Sequence, residues 1–132
     1  MPQVLAYACD DATTRFHKTT IDLREPGPGE IYFDVKYAGI CHSDIHTARG
    51  EWGPVAYPLV PGHEFVGVVA RVGEGATRFA VGDRVGVGCM VGSCGQCEMC
   101  GAGYEQWCTG TPGTLWTYRA DAEGNPTTGG YS

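Results

Sequence analysis

Basic residues are scarce in this 132-residue chain: nine Lys and Arg stand against fifteen Asp and Glu, the formal net charge is −6, and no basic run occurs. A phosphate backbone is held by clustered Lys and Arg, so no nucleic-acid partner is expected. Long apolar runs are missing as well. A membrane-spanning helix needs about 18 or more consecutive apolar residues, and no membrane partner is expected either. Charge of both signs amounts to only 18% of residues, yet 42% are hydrophobic, which predicts one folded domain with a modest core rather than disorder. Met1-Pro2-Gln3 runs straight into strand-like sequence without a secretion signal. No internal repeat or low-complexity tract is visible.

What the chain has instead is glycine, proline and cysteine. Its 21 Gly and 8 Pro read as turns between many short strands. Alternating or β-branched segments predict strands at 3–10, 16–24, 30–38, 64–72 and 81–87, with a last one beginning at 115–120. Glu25-Pro26-Gly27-Pro28-Gly29-Glu30 is a stiff turn lacking a donor at both prolines, and Pro54, Pro58 and Pro61 keep the chain extended up to Gly62. Residues 42–49, closed by Gly50, form the one good helix candidate. Gly67, inside the valine-rich strand, marks close backbone approach or a bulge. The expected fold is mainly β, an irregular barrel with one short helix.

Four of the seven cysteines crowd into fifteen residues, Cys94, Cys97, Cys100 and Cys108, with spacing C-x2-C-x2-C-x7-C. The segment 89–115 around them has almost no hydrophobic pattern and needs another source of order. Four thiolates on one tetrahedral zinc supply it, and a closed shell of four leaves no position for substrate. Disulfides are the alternative, but an odd cysteine count and C-x-x-C repeats favour metal. A zinc ribbon on nucleic acid would split two pairs by a longer, basic span, whereas Glu98 and Glu105 lie here. Reduced thiols imply a reducing, cytoplasmic compartment. Cys9 and His17 carry no motif and read as structural.

Upstream, Cys41 and His63 lie 22 residues apart, each beside a predicted strand. One thiolate and one imidazole suit a catalytic zinc with an open position. On spacing alone, a buried Cys and a surface His are the better reading. Their surroundings are more specific: Gly39-Ile40-Cys41-His42-Ser43-Asp44-Ile45-His46, then Tyr57-Pro58-Leu59-Val60-Pro61-Gly62-His63-Glu64, then Val81-Gly82-Asp83-Arg84-Val85, then the four-cysteine lobe. In this order the motifs resemble the zinc-dependent medium-chain alcohol dehydrogenases, and Cys-His-Ser-Asp-Ile-His with Glu105-Gln106-Trp107-Cys108 resembles their cinnamyl-alcohol-dehydrogenase branch.

The resemblance covers nearly the whole chain and implies a GroES-like N-terminal catalytic domain over 1–132, with a structural zinc lobe at 89–115. It implies two zincs, one in the lobe and one catalytic, the latter held by Cys41, His63 and a further cysteine; Cys89, the nearest spare, does not match that position. Glu64 resembles the glutamate that approaches the metal, and Asp44 the carboxylate that fixes His63. Ser43 and His46 match a proton relay running through the cofactor ribose. His42 matches a cofactor-phosphate contact and equally suits an exposed helix position. Trp52 and Met90 match positions lining the substrate pocket and equally suit a core. The implied activity is interconversion of primary alcohols and aldehydes with hydride transfer to NADP or NAD, by a homo-oligomer.

No Gly-x-Gly-x-x-Gly follows a strand here, and the third catalytic cysteine is missing. The chain therefore reads as part of a longer enzyme, inactive alone. The alternative reading is a zinc-stabilised GroES-like binding module without catalysis.

Overall fold

The computed structural model describes residues 3–89 and 91–110. Five strands and two α-helices are present in the order β1 (Gln3–Ala8), β2 (His17–Asp22), β3 (Ile31–Ala38), α1 (His42–Ala48), β4 (Phe65–Val72), β5 (Arg84–Val87) and α2 (Glu98–Gly101), followed by a 3-10 turn at Glu105–Trp107. The strands fall where alternation and valine content place them. The helix count departs from the expected single helix: the cysteine lobe contains α2 and the 3-10 turn. Neither is announced by apolar periodicity, because both are organised by backbone bonds such as Gly101 N–H to Cys97 O (2.9 Å) around inward-facing sulfurs. The expected strand at 115–120 lies outside the described residues.

β1 and β2 form an antiparallel hairpin with Gln3 opposite Asp22 and Ala8 opposite His17. β3, β4 and β5 form a second antiparallel sheet with β4 in the centre. Its register shifts twice, leaving Ala70 unpaired on β4 and Lys36 on β3; such bulges bend a sheet and sharpen its twist. Gly67 sits between them, opposite Val35. A β-carbon there would come within 2.1 Å of the Asp34 carbonyl oxygen, so the strands can approach this closely only at a glycine. Phe33 and Phe65 pack beside it with ring centroids 5.9 Å apart.

The hairpin meets α1 through a small apolar cluster of Cys9, Ala48 and Leu59, with Tyr57 against it. Cys9 and Leu59 exchange two backbone hydrogen bonds of 3.0 and 2.9 Å, which pins the extended proline segment to the end of the hairpin. Two further bonds fasten the C-terminal end of α1: the Tyr57 hydroxyl donates to Ala48 O at 2.9 Å and Arg49 Nη1 to Ala12 O at 2.8 Å. A seven-residue helix is too short to persist on propensity, so these contacts hold it. Among the described residues no helix is long and apolar enough to cross a membrane.

Candidate metal centres

Helix α1 carries the upstream constellation. Cys41 is its N-cap residue, in extended conformation, and the chain after β3 delivers it there. His63 closes the proline segment just before β4. The two converge although 22 residues separate them: the Cys41 sulfur, a His63 ring nitrogen and a Glu64 carboxylate oxygen lie within 4.8 Å of one another.

Asp44 organises the pair. Its Oδ2 accepts the Cys41 backbone N–H at 3.1 Å, and its Oδ1 lies 3.1 Å from His63 Nδ1. Both side chains are buried, His63 and Asp44 each 6% exposed. A carboxylate facing Nδ1 holds the proton there and turns the Nε2 lone pair toward Cys41, the tautomer a metal requires. Ser43 closes the group, with its hydroxyl donating to Cys41 Sγ at 3.1 Å and lying 3.4 Å from His63 Nε2. The Ser43 hydroxyl, then its backbone N–H, then His63 pull the Cys41 thiol below its ordinary range, toward the thiolate that binds metal. Soft sulfur, imidazole and carboxylate together are a donor set suited to zinc.

One turn further, the His46 ring stacks on the Trp52 indole at 5.0 Å and lies 4.6 Å from the His42 ring. Its Nδ1 is hydrogen-bonded to the Glu51 carboxylate. Trp52 is 64% exposed, so it is no core residue. Glu51 carries no sequence signal, because after Gly50 an acid reads as an ordinary solvated group. His42 is exposed on the helix, and Met90 lies outside the described residues.

The second constellation is the lobe. Sulfur–sulfur distances are 3.9 Å for Cys94–Cys100, 3.5 Å for Cys97–Cys100 and 3.9 Å for Cys97–Cys108. A disulfide would need about 2.05 Å. A zinc tetrahedron with bonds of about 2.3 Å has sulfur–sulfur edges of about 3.8 Å, and the observed spacing matches that. Backbone N–H groups converge on the sulfurs too: Gln96 and Cys97 donate to Cys94 Sγ at 3.4 and 3.3 Å, and Cys94 donates to Cys108 Sγ at 3.3 Å. Backbone bonds from Cys100 and Thr109 bring the Cys97 thiol down to about 5, while burial and then the neighbouring thiol of Cys97 push Cys100 up to about 11. Four sulfurs so close cannot all ionise unless a cation lies between them. Among the described residues these two are the groups able to hold a metal.

Comparison with known proteins gives the family of the chain. The alcohol dehydrogenase GroES-like domain matches residues 27–132. NADP-dependent alcohol dehydrogenase C 1 of Mycolicibacterium smegmatis is 57% identical over 133 residues, covering 100% of this chain and 38% of that protein. Cinnamyl alcohol dehydrogenase 2 of Rauvolfia serpentina is 52% identical over 131 residues, covering 98% of this chain and 36% of the relative. Among solved structures, CAD from Helicobacter pylori complexed with NADP(H) superposes with a TM-score of 0.84 at 40% identity, covering 98% of this chain and 37% of that one. The chain thus spans less than two fifths of the length of the curated relatives it matches. With the matched region running from the proline-glycine turn through the cysteine lobe, the chain belongs to the alcohol dehydrogenase GroES-like domain family.

Proposed function

We propose that residues 1–132 are the catalytic-domain portion of a zinc-dependent alcohol dehydrogenase that interconverts primary alcohols and aldehydes using NADP. The observation that carries this reading is the convergence of Cys41, His63 and Glu64 beside a separate four-sulfur lobe. A scaffold needs only the lobe. A second constellation with a donor set of mixed softness suits chemistry rather than scaffolding.

In this reading Cys94, Cys97, Cys100 and Cys108 hold a zinc that orders the segment 89–115. Cys41 and His63 hold the other, with Glu64 beside it and the remaining ligand supplied from elsewhere in the polypeptide. Zinc there would supply the Lewis acidity that makes an alcohol hydroxyl acidic near neutral pH. Asp44 keeps His63 in the metal-binding tautomer. The Ser43 hydroxyl, adjacent to both the Cys41 sulfur and His63 Nε2, is placed to take the proton leaving the substrate. His46, three residues along the same helix and half-buried against Trp52, is placed to pass it to solvent, since imidazole exchanges protons near neutrality. Glu51 orients that ring. His42 and Trp52 flank it on the exposed side, His42 as a contact for the cofactor and Trp52 for an aromatic or long-chain substrate.

NADP is favoured because the M. smegmatis relative and the H. pylori structure are described with it. The deciding experiment is metal analysis of the intact polypeptide together with its oxidation of a primary aromatic alcohol. Two zincs per chain are expected, falling to one in Cys41→Ser with loss of turnover. One zinc per chain, unchanged by Cys41→Ser, would leave a binding module.

A further inference from the structure

Pairing between β3 and β4 continues past their ends. Beyond Ala38 opposite Phe65, the Gly39 N–H donates to the Glu64 carbonyl at 2.8 Å, so positions 39 and 64 face each other across the ladder. Opposed residues of an antiparallel pair project from the same face, with β-carbons about 5 Å apart. At position 39 there is no side chain, and Glu64 fills the space. A β-carbon built on Gly39 would lie 2.8 Å from each of Glu64 Cγ, Cδ and Oε2, and these are its three nearest neighbours. Contact that close would force the end of the glutamate to move.

Glycine is not needed here by the backbone, because Gly39 is not among the residues with positive φ. Nor does another strand press on it, as Asp34 presses on Gly67. What the missing side chain provides is passage for one carboxylate. Glu64 folds across position 39 and so comes beside Cys41, two residues further along the chain at the head of α1, and beside its own neighbour His63. Glu64 and Gly39 also line a hollow of about 360 Å³, together with Tyr37, Phe65, Val66 and Val87. A displaced carboxylate has somewhere to go.

We propose that Gly39 is a positioning residue for Glu64: its lack of a side chain sets whether the carboxylate stands at the Cys41/His63 pair or swings into the hollow. The inference rests on the reading of that pair as a metal centre. Alanine at 39 closes the passage and removes the carboxylate from the pair without touching either Cys41 or His63.

The test uses the intact polypeptide with zinc kept in the cysteine lobe and Co2+ at the Cys41/His63 position, where visible absorption reports the ligand set. Wild type, Gly39→Ala, Glu64→Ala and the double variant are compared for spectrum and Co2+ affinity. Gly39→Ala should reproduce the spectral change of Glu64→Ala and its loss of affinity, about tenfold, and should add nothing in the Glu64→Ala background. A wild-type spectrum in Gly39→Ala, or a loss that persists undiminished without Glu64, overturns the proposal. If Gly39→Ala fails to fold, rescue of folding by Glu64→Ala supports it, and failure of both variants overturns it. Absence of any Co2+ binding at Cys41/His63 in the wild type would sink the metal-centre reading and this inference together. A silent Gly39→Ala in a protein that binds Co2+ sinks the inference alone.

Discussion

Asp44 joins two things that the chain keeps 22 residues apart. One oxygen takes the Cys41 N–H at the head of α1 and the other faces the His63 ring. Replacing it with Asn keeps the shape and removes the charge that holds the ring proton. Asp44→Asn in the intact polypeptide should weaken metal binding at Cys41/His63 by about 10- to 100-fold while the lobe keeps its metal, as read by chelator competition and metal analysis. His46 acts further out. His46→Gln should lower alcohol oxidation near neutral pH by about a hundredfold, with partial recovery on adding imidazole; an unchanged rate and pH profile would remove His46 from the proton path. Cys41, His63 and Asp44, which the fold brings together, were legible as residue types within motifs. That the Ser43 hydroxyl turns onto the Cys41 sulfur was not, because it depends on a rotamer at the head of α1, nor was Glu51 behind His46, which depends on how the chain folds back after Gly50.

At the level of elements, valine content and alternation were enough to read the strands, since a half-buried pleated surface leaves a period of two in the sequence. Gly67 was readable for a related reason: a glycine in such a run has no packing role and signals crowding. The structure supplies the crowding atom, Asp34 O. Gly67→Ala should therefore destabilise the β3–β4 pair by roughly 3 kcal/mol or more, whereas Gly88→Ala, with open space around it, should change the thermal midpoint little. The lobe hid its helices because α2 has four residues and the 3-10 turn three, far below any length that propensity sustains. Their order must come from the sulfurs. Removing metal with a chelator should raise amide hydrogen exchange across 94–108 to near-unprotected rates while β3, β4 and β5 stay protected. Retained protection in the metal-free lobe would contradict the zinc assignment.

Taken whole, the described molecule has a thin core. Leu59, Val69 and Cys9 are its largest fully buried side chains, while Ile40 is 85% and Tyr37 77% exposed. Large exposed apolar residues lie on the sheet and around α1, and the chain covers 38% of the M. smegmatis relative. Residues 1–132 expressed alone should bind metal in the lobe and give no alcohol-dependent NADP reduction; measurable turnover would refute this. The hairpin, the proline segment and α1 depend on one another through Cys9, Leu59, Ala48, Tyr57 and Arg49. The orienting carboxylate rides on that helix. A nascent or partly unravelled chain would thus own the sulfur and the imidazole but lack the geometry that arms them. The paired donor geometry at Cys41 and His63 waits on tertiary closure.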